Sequence, residues 1–218
     1  MSNRTTSPLR QYGAALRIFI AMTVILGLIY PLLMTLLSQS MFNANADGSL
    51  IYRDGEIVGS DLIGQEFTRP IITDGQPTLD SAGNPAREPD PAYFQSRPSV
   101  AGEGYDPLAT SASNLGPEND TLIREIERRR AFAADFDGIP PQEVAPDALL
   151  ASGSGLDPHI SPTYARQQVS RVASERGLAE VQVHHLVDEY TQRRVLGFLG
   201  EPRVNVLELN LALDELDG

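Results

Sequence analysis

The sequence predicts an α+β protein, with a single N-terminal transmembrane helix followed by one extracytoplasmic domain of mixed helices and strands. Three observations predict this fold class. Residues 18–37 form an uncharged apolar run, residues 49–60 carry the pattern of a β-hairpin, and residues 161–191 hold two amphipathic helical patterns. Strand and helix signals in separate parts of a chain without visible internal repeats are typical of α+β domains.

The apolar run, IFIAMTVILGLIYPLLMTLL, is long enough to cross a bilayer. A helix that rises about 1.5 Å per residue needs about 20 residues to span a hydrocarbon core of about 30 Å. Arg4, Arg10 and Arg17 precede the run, and the first acidic residue, Asp47, follows it. The positive-inside rule therefore places the N-terminus in the cytoplasm and the remainder of the chain outside.

The apolar run and the charges on either side of it predict a cytoplasmic N-terminus at residues 1–13, a transmembrane helix at 14–40 and an extracytoplasmic domain at 41–218. A cleaved signal peptide is the alternative, because residues 44–46, Ala-Asn-Ala, offer an A-x-A cleavage pattern. The apolar run is longer than the roughly 7 to 15 residues of a signal-peptide core, and the possible cleavage site lies well beyond its end. Retention of the helix as a membrane anchor is therefore favoured.

Within the span, Thr23 and Gly27 form a pair of small residues four positions apart. Pro31 lacks the N–H that would have donated to the Gly27 carbonyl. Close approach of another helix would suit both features. Because glycine and proline are common in transmembrane helices in any case, an ordinary span remains the alternative to a partner-facing surface.

The C-terminal domain begins with a hairpin signal and a long excursion. In SLIYRDGEIVGS, two runs of strand-forming residues flank Asp54-Gly55, a dipeptide typical of tight hairpin turns. Residues 68–91 then hold five prolines and few apolar residues. This composition predicts a surface insertion.

Helix signals follow. Asn119 or Asp120 can cap a helix that ends before Gly138, with the arginines at 128–130 on a solvated face. The predicted apolar face of this helix consists of Leu122, Ile123 and Ile126.

A second helix is predicted from Ser161 as N-cap and Pro162 as first residue, with Gly177 beyond its end. Its apolar stripe is Ala165, Val169, Val172 and Ala173. A third helix, over about 179–191, has apolar residues at helical spacing. These residues are Val183, Leu186, Val187 and Tyr190.

The C-terminal stretch alternates leucines with polar or small residues. The leucines are Leu207, Leu209, Leu211 and Leu213. A period of two predicts a β-strand.

Composition excludes several classes of function. Residues 1–46 carry a net charge of +3, so the net charge of −12 for the whole chain leaves −12 − 3 = −15 for residues 47–218. An acidic domain lacks the basic face that nucleic-acid binding requires. There is no cysteine, and all 17 basic residues are arginines. Disulfides, thiolate catalysis and lysine-dependent phosphate loops are therefore excluded.

The stretch SGSGLDPHISP is the most site-like in the chain. Its glycines and serines lead into a helix N-terminus, where free N–H groups can bind an anion. No arginine lies between Arg130 and Arg166, and the stretch has neither a lysine nor a preceding strand, so a connection is favoured over a phosphate site. Ser154, Asp157 and His159 are too close in sequence for a usual catalytic triad.

The remaining candidates are weak. His184 and His185 lie about 100° apart on a helix and cannot face one metal ion together, so surface histidines are expected. Residue types and spacing alone thus favour an anchored interaction module over an enzyme.

Six strings stand in this order along the chain: VGSDLIGQEF, YFQSRPS, YDPLATSASNLGPEN, ASGSGLDPHISP, QVSRVASERGL and LGFLGEPRVNVLELNLALD. Together they resemble the C subunit of the Kdp potassium-transporting ATPase, and the match covers nearly the whole chain. The resemblance implies an accessory, non-catalytic subunit of an inner-membrane pump. Its partners would be a potassium-pathway subunit, a catalytic P-type ATPase subunit and a small membrane subunit. ATP and potassium would be handled by the complex, with no cofactor bound by this chain. Residues 68–91 lengthen a connection that is short in the family.

The resemblance also implies a role as a catalytic chaperone that raises the affinity of the catalytic subunit for ATP. In this sequence the corresponding segment comprises Ser152, Gly153, Ser154, Gly155, Gln167 and Gln168. The predicted topology conflicts with direct contact, because a domain outside the membrane would act on ATP affinity only through its partners. A regulator that binds nucleotide directly through the Gly-Ser loop at 152–155 is the alternative.

Overall fold

The structure, a computed structural model, describes residues 8–216. The chain divides into an N-terminal unit that ends at Leu50 and a C-terminal unit that begins at Ile51. The α+β fold class is confirmed, with an apolar helix followed by a domain of mixed helices and strands. Arg4, which contributes to the predicted charge asymmetry, lies outside the described residues.

The N-terminal unit is one long apolar helix followed by a short one. Helix α1, Pro8–Val24, continues through a π-helical turn, Ile25–Ile29, into α2, Tyr30–Met41. The π-helical turn precedes Pro31, and in such a turn each carbonyl pairs with the N–H five residues on, which lets the helix continue past a residue without an N–H. Helix α3, Asn43–Ala46, ends the unit.

The predicted hairpin is confirmed. Strand β1, Leu50–Arg53, pairs with β2, Glu56–Ser60. The two residues between them have positive φ angles, 52° at Asp54 and 85° at Gly55, as a type I′ turn requires.

The segment over residues 68–89 forms a two-stranded antiparallel arm, here called the β-arm. Strand β3, Thr68–Pro70, pairs with β6, Arg87–Pro89, and β4, Ile72–Thr73, pairs with β5, Gln76–Pro77. A two-stranded ribbon has no central strand, so prolines at its edges interrupt little of the ladder. Most of the arm is exposed.

Helix α4, Asp120–Asp137, begins at Asn119, whose side chain accepts from the Thr121 N–H, and ends at Gly138, where φ is 67°. Its predicted apolar face was wrong in part. Ile123 is 42% exposed, whereas the buried residues lie in the last two turns, among them Ala133 and Ala134. Ile126 is half-buried and packs against the core, and the alanines of the last two turns allow close packing there.

The helix predicted from Pro162 is present but interrupted. Helix α5, Pro162–Gln167, and α6, Val169–Arg176, are separated by Gln168. Ser161 caps α5 by accepting from the Tyr164 N–H at 3.0 Å. Helix α7, Glu180–Glu189, follows and packs against α5 and α6. The predicted apolar stripes of these helices face the core.

A three-stranded antiparallel sheet has β9, Arg203–Asn205, at its centre, with β7, His159–Ile160, on one side and β8, Thr191–Gln192, on the other. Val204 pairs with both Ile160 and Thr191.

The predicted C-terminal strand was wrong, because residues Val206–Leu216 form helix α8. The side-chain oxygen of Asn205 accepts from the Leu207 N–H at 3.0 Å and the Glu208 N–H at 3.3 Å, which caps the helix. Helix α8 is buried on most of its circumference. A helix buried in this way carries apolar residues on several faces, so a run of alternate leucines mimics the period of a strand.

The core lies where α5, α6, α7 and α8 meet the three-stranded sheet. Its largest fully buried apolar residues are Phe94, Val169, Val172, Val183, Val187, Val204, Val206, Leu209 and Leu213.

Asp214 connects α8 to two other elements. Its carboxylate accepts from Arg53 on β1 and from Arg176 on α6, each at 2.7 Å. Burial alone would raise the pKa of Asp214, but hydrogen bonds from Arg176, Arg53 and Tyr93 outweigh it and hold the pKa below its usual value.

We expect Asp214→Asn to lower the free energy of unfolding by about 1 kcal/mol at neutral pH. The loss is modest because Asp214 and its partner Arg53 are partly exposed to solvent. A depressed folded-state pKa stabilises the fold above the unfolded-state pKa of about 4 and loses this effect as the pH falls further. The difference from wild type should therefore shrink below about pH 4. Denaturant unfolding of the full chain in detergent measures it, with exposed Asp135→Asn as control. A difference that is constant with pH would contradict this role.

Candidate functional site

The Gly-Ser loop, residues 152–155, is held by hydrogen bonds from its own serine side chains. The Ser152 hydroxyl accepts from the Gly155 N–H at 2.8 Å, and the Ser154 hydroxyl accepts from the Leu156 N–H at 3.1 Å. Two of the N–H groups that would face an anion are thus already bonded to serine side chains.

The same loop is attached to the segment over residues 99–111. The Ser99 hydroxyl donates to the Gly155 carbonyl at 2.7 Å, and the Thr110 hydroxyl donates to the Ser154 carbonyl at 2.7 Å. Gly155 has a φ of 71°, and a Cβ there would lie 2.9 Å from the nearest atoms, which belong to Ala101 and to the Ser111 carbonyl. The loop therefore joins two parts of the domain, and a side chain at Gly155 would separate them.

Gln168 is fully buried and bonds to the backbone of another segment. Its side-chain oxygen accepts from the Gln95 N–H at 2.7 Å, and its NH₂ group donates to the Gln95 carbonyl at 3.1 Å. The side-chain amide thus pairs with both backbone groups of Gln95, as a residue of a neighbouring β-strand would. Both the oxygen and the NH₂ group of Gln168 are used in this contact.

Gln167 is also engaged inside the domain. Its side-chain oxygen accepts from the Ala145 N–H at 2.8 Å, and its NH₂ group donates to Asp137 at 2.6 Å. The structure therefore places both predicted glutamines in hydrogen bonds between elements of the fold, while their assignment to ATP affinity stays a prediction.

Asp137 and Arg171 form an ion pair with almost no solvent access. Arg171 Nε lies 2.8 Å from Asp137 Oδ1, and the two side chains are 6% and 2% exposed. The guanidinium also donates to Gln168 at 2.7 Å and lies 4.3 Å from the centre of the Phe136 ring. Loss of one partner from such a pair leaves a buried charge, which costs about 3–5 kcal/mol.

Three side chains together hold the irregular segment, residues 91–97. Arg171 donates to the carbonyls of Pro91 and Tyr93, and Gln168 holds Gln95. Asn210 on α8 accepts from the Phe94 N–H at 2.9 Å and donates to its carbonyl at 3.0 Å. We call the buried residues Asp137, Gln168, Arg171 and Asn210, together with the half-buried Gln167, the internal polar network. Sequence reasoning singled out Gln167 and Gln168 only through the family resemblance and missed Asp137, Arg171 and Asn210, because the contacts of these three join distant parts of the chain.

The residues considered for a triad are arranged differently. His159 Nδ1 lies 3.2 Å from Asp157, whereas the Ser154 hydroxyl contacts Ser152 and Leu156. Burial alone would raise the pKa of Asp157, but hydrogen bonds from the His159 side chain and N–H outweigh it and lower the pKa. Arg97 also pairs with Asp157, at 3.3 Å.

A cavity of about 430 Å³ lies beside α4. Its lining includes four arginines and Glu66. The Gly-Ser loop, Gln167 and Gln168 do not line it. The four arginines are Arg87, Arg97, Arg128 and Arg129. Arg128 pairs with Glu125 at 2.7 Å, and Arg129 donates to the Leu149 carbonyl at 2.9 Å. Burial lowers the pKa of Arg129 and raises that of Glu66.

The other candidates are on the surface. His184 and His185 are exposed, and His185 Nδ1 lies 4.0 Å from Glu189. Within residues 8–216, no group of three or more His, Cys, Asp or Glu side chains has the arrangement of a metal site. In the span, Gly27 has no atom within 4 Å of the position that a Cβ would take, so its surface is open.

Comparison with known proteins identifies relatives over nearly the whole chain. The family model KdpC, described as K+-transporting ATPase, c chain, matches residues 12–215. The chain is similar to proteins named potassium-transporting ATPase KdpC subunit. In Kineococcus radiotolerans the identity is 51%, covering 98% of this chain and 97% of the relative. In Streptomyces coelicolor it is 40%, covering 99% and 97%. In Mycobacterium tuberculosis it is 42%, covering 95% and 99%.

Gly155→Ala and Gly153→Ala form a matched pair that tests the loop. We expect Gly155→Ala to lower the free energy of unfolding by about 1–3 kcal/mol, because alanine is strained at this φ and meets the segment at 99–111. Gly153 has open space around it, so Gly153→Ala should change stability by less than about 0.5 kcal/mol. Chemical unfolding of both variants measures this. Equal losses would contradict the role of the loop as a joint.

Proposed function

The chain belongs to the KdpC family, the c chain of K+-transporting ATPases, and we propose that it is the accessory subunit that stabilises the pump assembly. Its partners in this proposal are the potassium-pathway subunit, the catalytic P-type ATPase subunit and a small membrane subunit. ATP and potassium are handled by the complex, and this chain carries no catalytic step of its own.

The single observation that carries the proposal is that the long apolar helix is exposed along its length. Leu9–Met41 is long and apolar enough to cross a membrane, and none of its most apolar stretch is buried. A helix of this kind requires lipid or other spans around it. Thr23, Gly27 and Pro31 are the residues we propose to face a neighbouring span.

The C-terminal unit supports a scaffolding role in a second way. Both glutamines that the resemblance associates with ATP affinity are used to hold the domain together. In this proposal, any effect of the chain on ATP affinity is transmitted through contacts between subunits. Direct nucleotide binding by the Gly-Ser loop is the competing function. Binding of an ATP analogue by the full chain that Gly153→Ala abolishes without loss of stability would favour it.

The orientation that we propose has the N-terminus in the cytoplasm and the C-terminal unit outside. Arg10 and Arg17 precede the uncharged run at residues 18–37, and the C-terminal unit is acidic. Protease added to intact spheroplasts should therefore digest the C-terminal unit. Protection in spheroplasts together with digestion in inverted vesicles would reverse the orientation.

We expect Gly27→Leu to reduce co-purification of the other pump subunits with the tagged chain by about tenfold or more, because overpacking a close helix contact costs about 1–3 kcal/mol. A leucine side chain at position 27 is accommodated by its own helix, because the space around the Gly27 Cβ position is empty. Gly13→Leu, outside the apolar run, is the matched control and should retain the partners. Mass spectrometry of the material that co-purifies with the tagged chain identifies and quantifies the other subunits. Equal recovery from both variants would remove Gly27 from the proposed interface.

A further inference from the structure

The loop that connects β8 to β9 carries four exposed apolar side chains in its middle. Val195, Leu196, Phe198 and Leu199 are 62%, 79%, 67% and 50% exposed. We call residues 195–199 the apolar tip. Elsewhere among the described residues of the C-terminal unit, large exposed apolar side chains are scattered singly along the sequence. A concentrated exposed apolar surface indicates a binding surface.

The backbone of the tip is hydrogen-bonded within the tip. Val195 and Leu199 exchange both N–H to carbonyl bonds, at 2.9 and 3.0 Å. The Gly197 N–H donates to the Arg194 carbonyl at 3.1 Å, and the Phe198 N–H donates to the Val195 carbonyl at 3.3 Å. Apolar surroundings penalise unpaired peptide groups. The bonded N–H groups of the tip therefore suit it to a non-aqueous environment.

The flanks of the tip are basic in a domain that is strongly acidic. Residues 190–205 contain Arg193, Arg194 and Arg203 and one acidic residue, Glu201, a net charge of 3 − 1 = +2. All three arginines are exposed. Apolar side chains with arginines at their base match a bilayer interface, where acyl chains lie below the phosphate groups.

In the proposed topology, the chain tethers the C-terminal unit to a membrane. Residues 42–50, nine in number, connect the end of the apolar helix at Met41 to the C-terminal unit at Ile51. Nine residues reach about 30 Å at most. A weakly binding loop on so short a tether meets the bilayer at high effective concentration.

We propose that the apolar tip inserts into the bilayer interface, with Leu196 and Phe198 among the acyl chains and Arg193 and Arg203 at the lipid phosphates. The tip is then a second membrane attachment of the C-terminal unit, beside the transmembrane helix. This inference requires the anchor but not the proposed role in the pump, so either can fail without the other.

Phe198→Trp tests the insertion, because the chain contains no tryptophan and the variant has a single one. The full chain is reconstituted in vesicles with phospholipids brominated on their acyl chains. We expect quenching and a blue-shifted emission for Phe198→Trp. Leu108→Trp, at a position 96% exposed on another loop, is the control and should show neither. Equal emission of the two variants would overturn the proposal.

The arginines are tested in vesicles with and without phosphatidylglycerol. Arg193→Gln in the Phe198→Trp background should lower the insertion equilibrium constant about fivefold with the anionic lipid and little without it. Arg124→Gln, on α4, is the control. Quenching that appears only when the other pump subunits are present would also overturn the proposal, since the tip would then contact protein.

Discussion

The fold depends on pairing the backbone of one irregular segment that passes through the core without joining a sheet. Buried peptide groups need partners, and residues 91–95 obtain them from side chains. Arg171 on α6, Gln168 just before α6 and Asn210 on α8 bind six backbone N–H and carbonyl groups of this segment. Asp137 neutralises the one charge that this arrangement buries. Helices α4, α6 and α8 are thereby fixed around a single strand-like segment.

This arrangement changes how the candidate site is understood. Gln167 and Gln168 are adjacent on the chain, yet they hold different partners, Ala145 and Asp137 for the first and Gln95 for the second. A substitution at either position therefore acts first on the packing of the domain. Measurements of function at these positions therefore require a parallel measurement of stability.

Local signals were predictable from the sequence and long-range pairing was not. The turn at Asp54-Gly55 and the cap at Ser161 each depend on one or two neighbouring residues, so sequence patterns identified them. The C-terminal helix was mistaken for a strand because its leucines alternate, although Asn205 supplied a capping signal. The contact between Gln168 and Gln95 joins residues 73 positions apart, and no periodicity reports such a pair.

The lengths of the strands in the three-stranded sheet limit how readily this sheet can pair with another molecule. Its two outer strands, β7 and β8, contain two residues each. A sheet whose margins are this short presents few unpaired peptide groups to another molecule, which discourages edge-to-edge aggregation. This sheet therefore offers two copies of the chain little edge along which to form intermolecular β-structure.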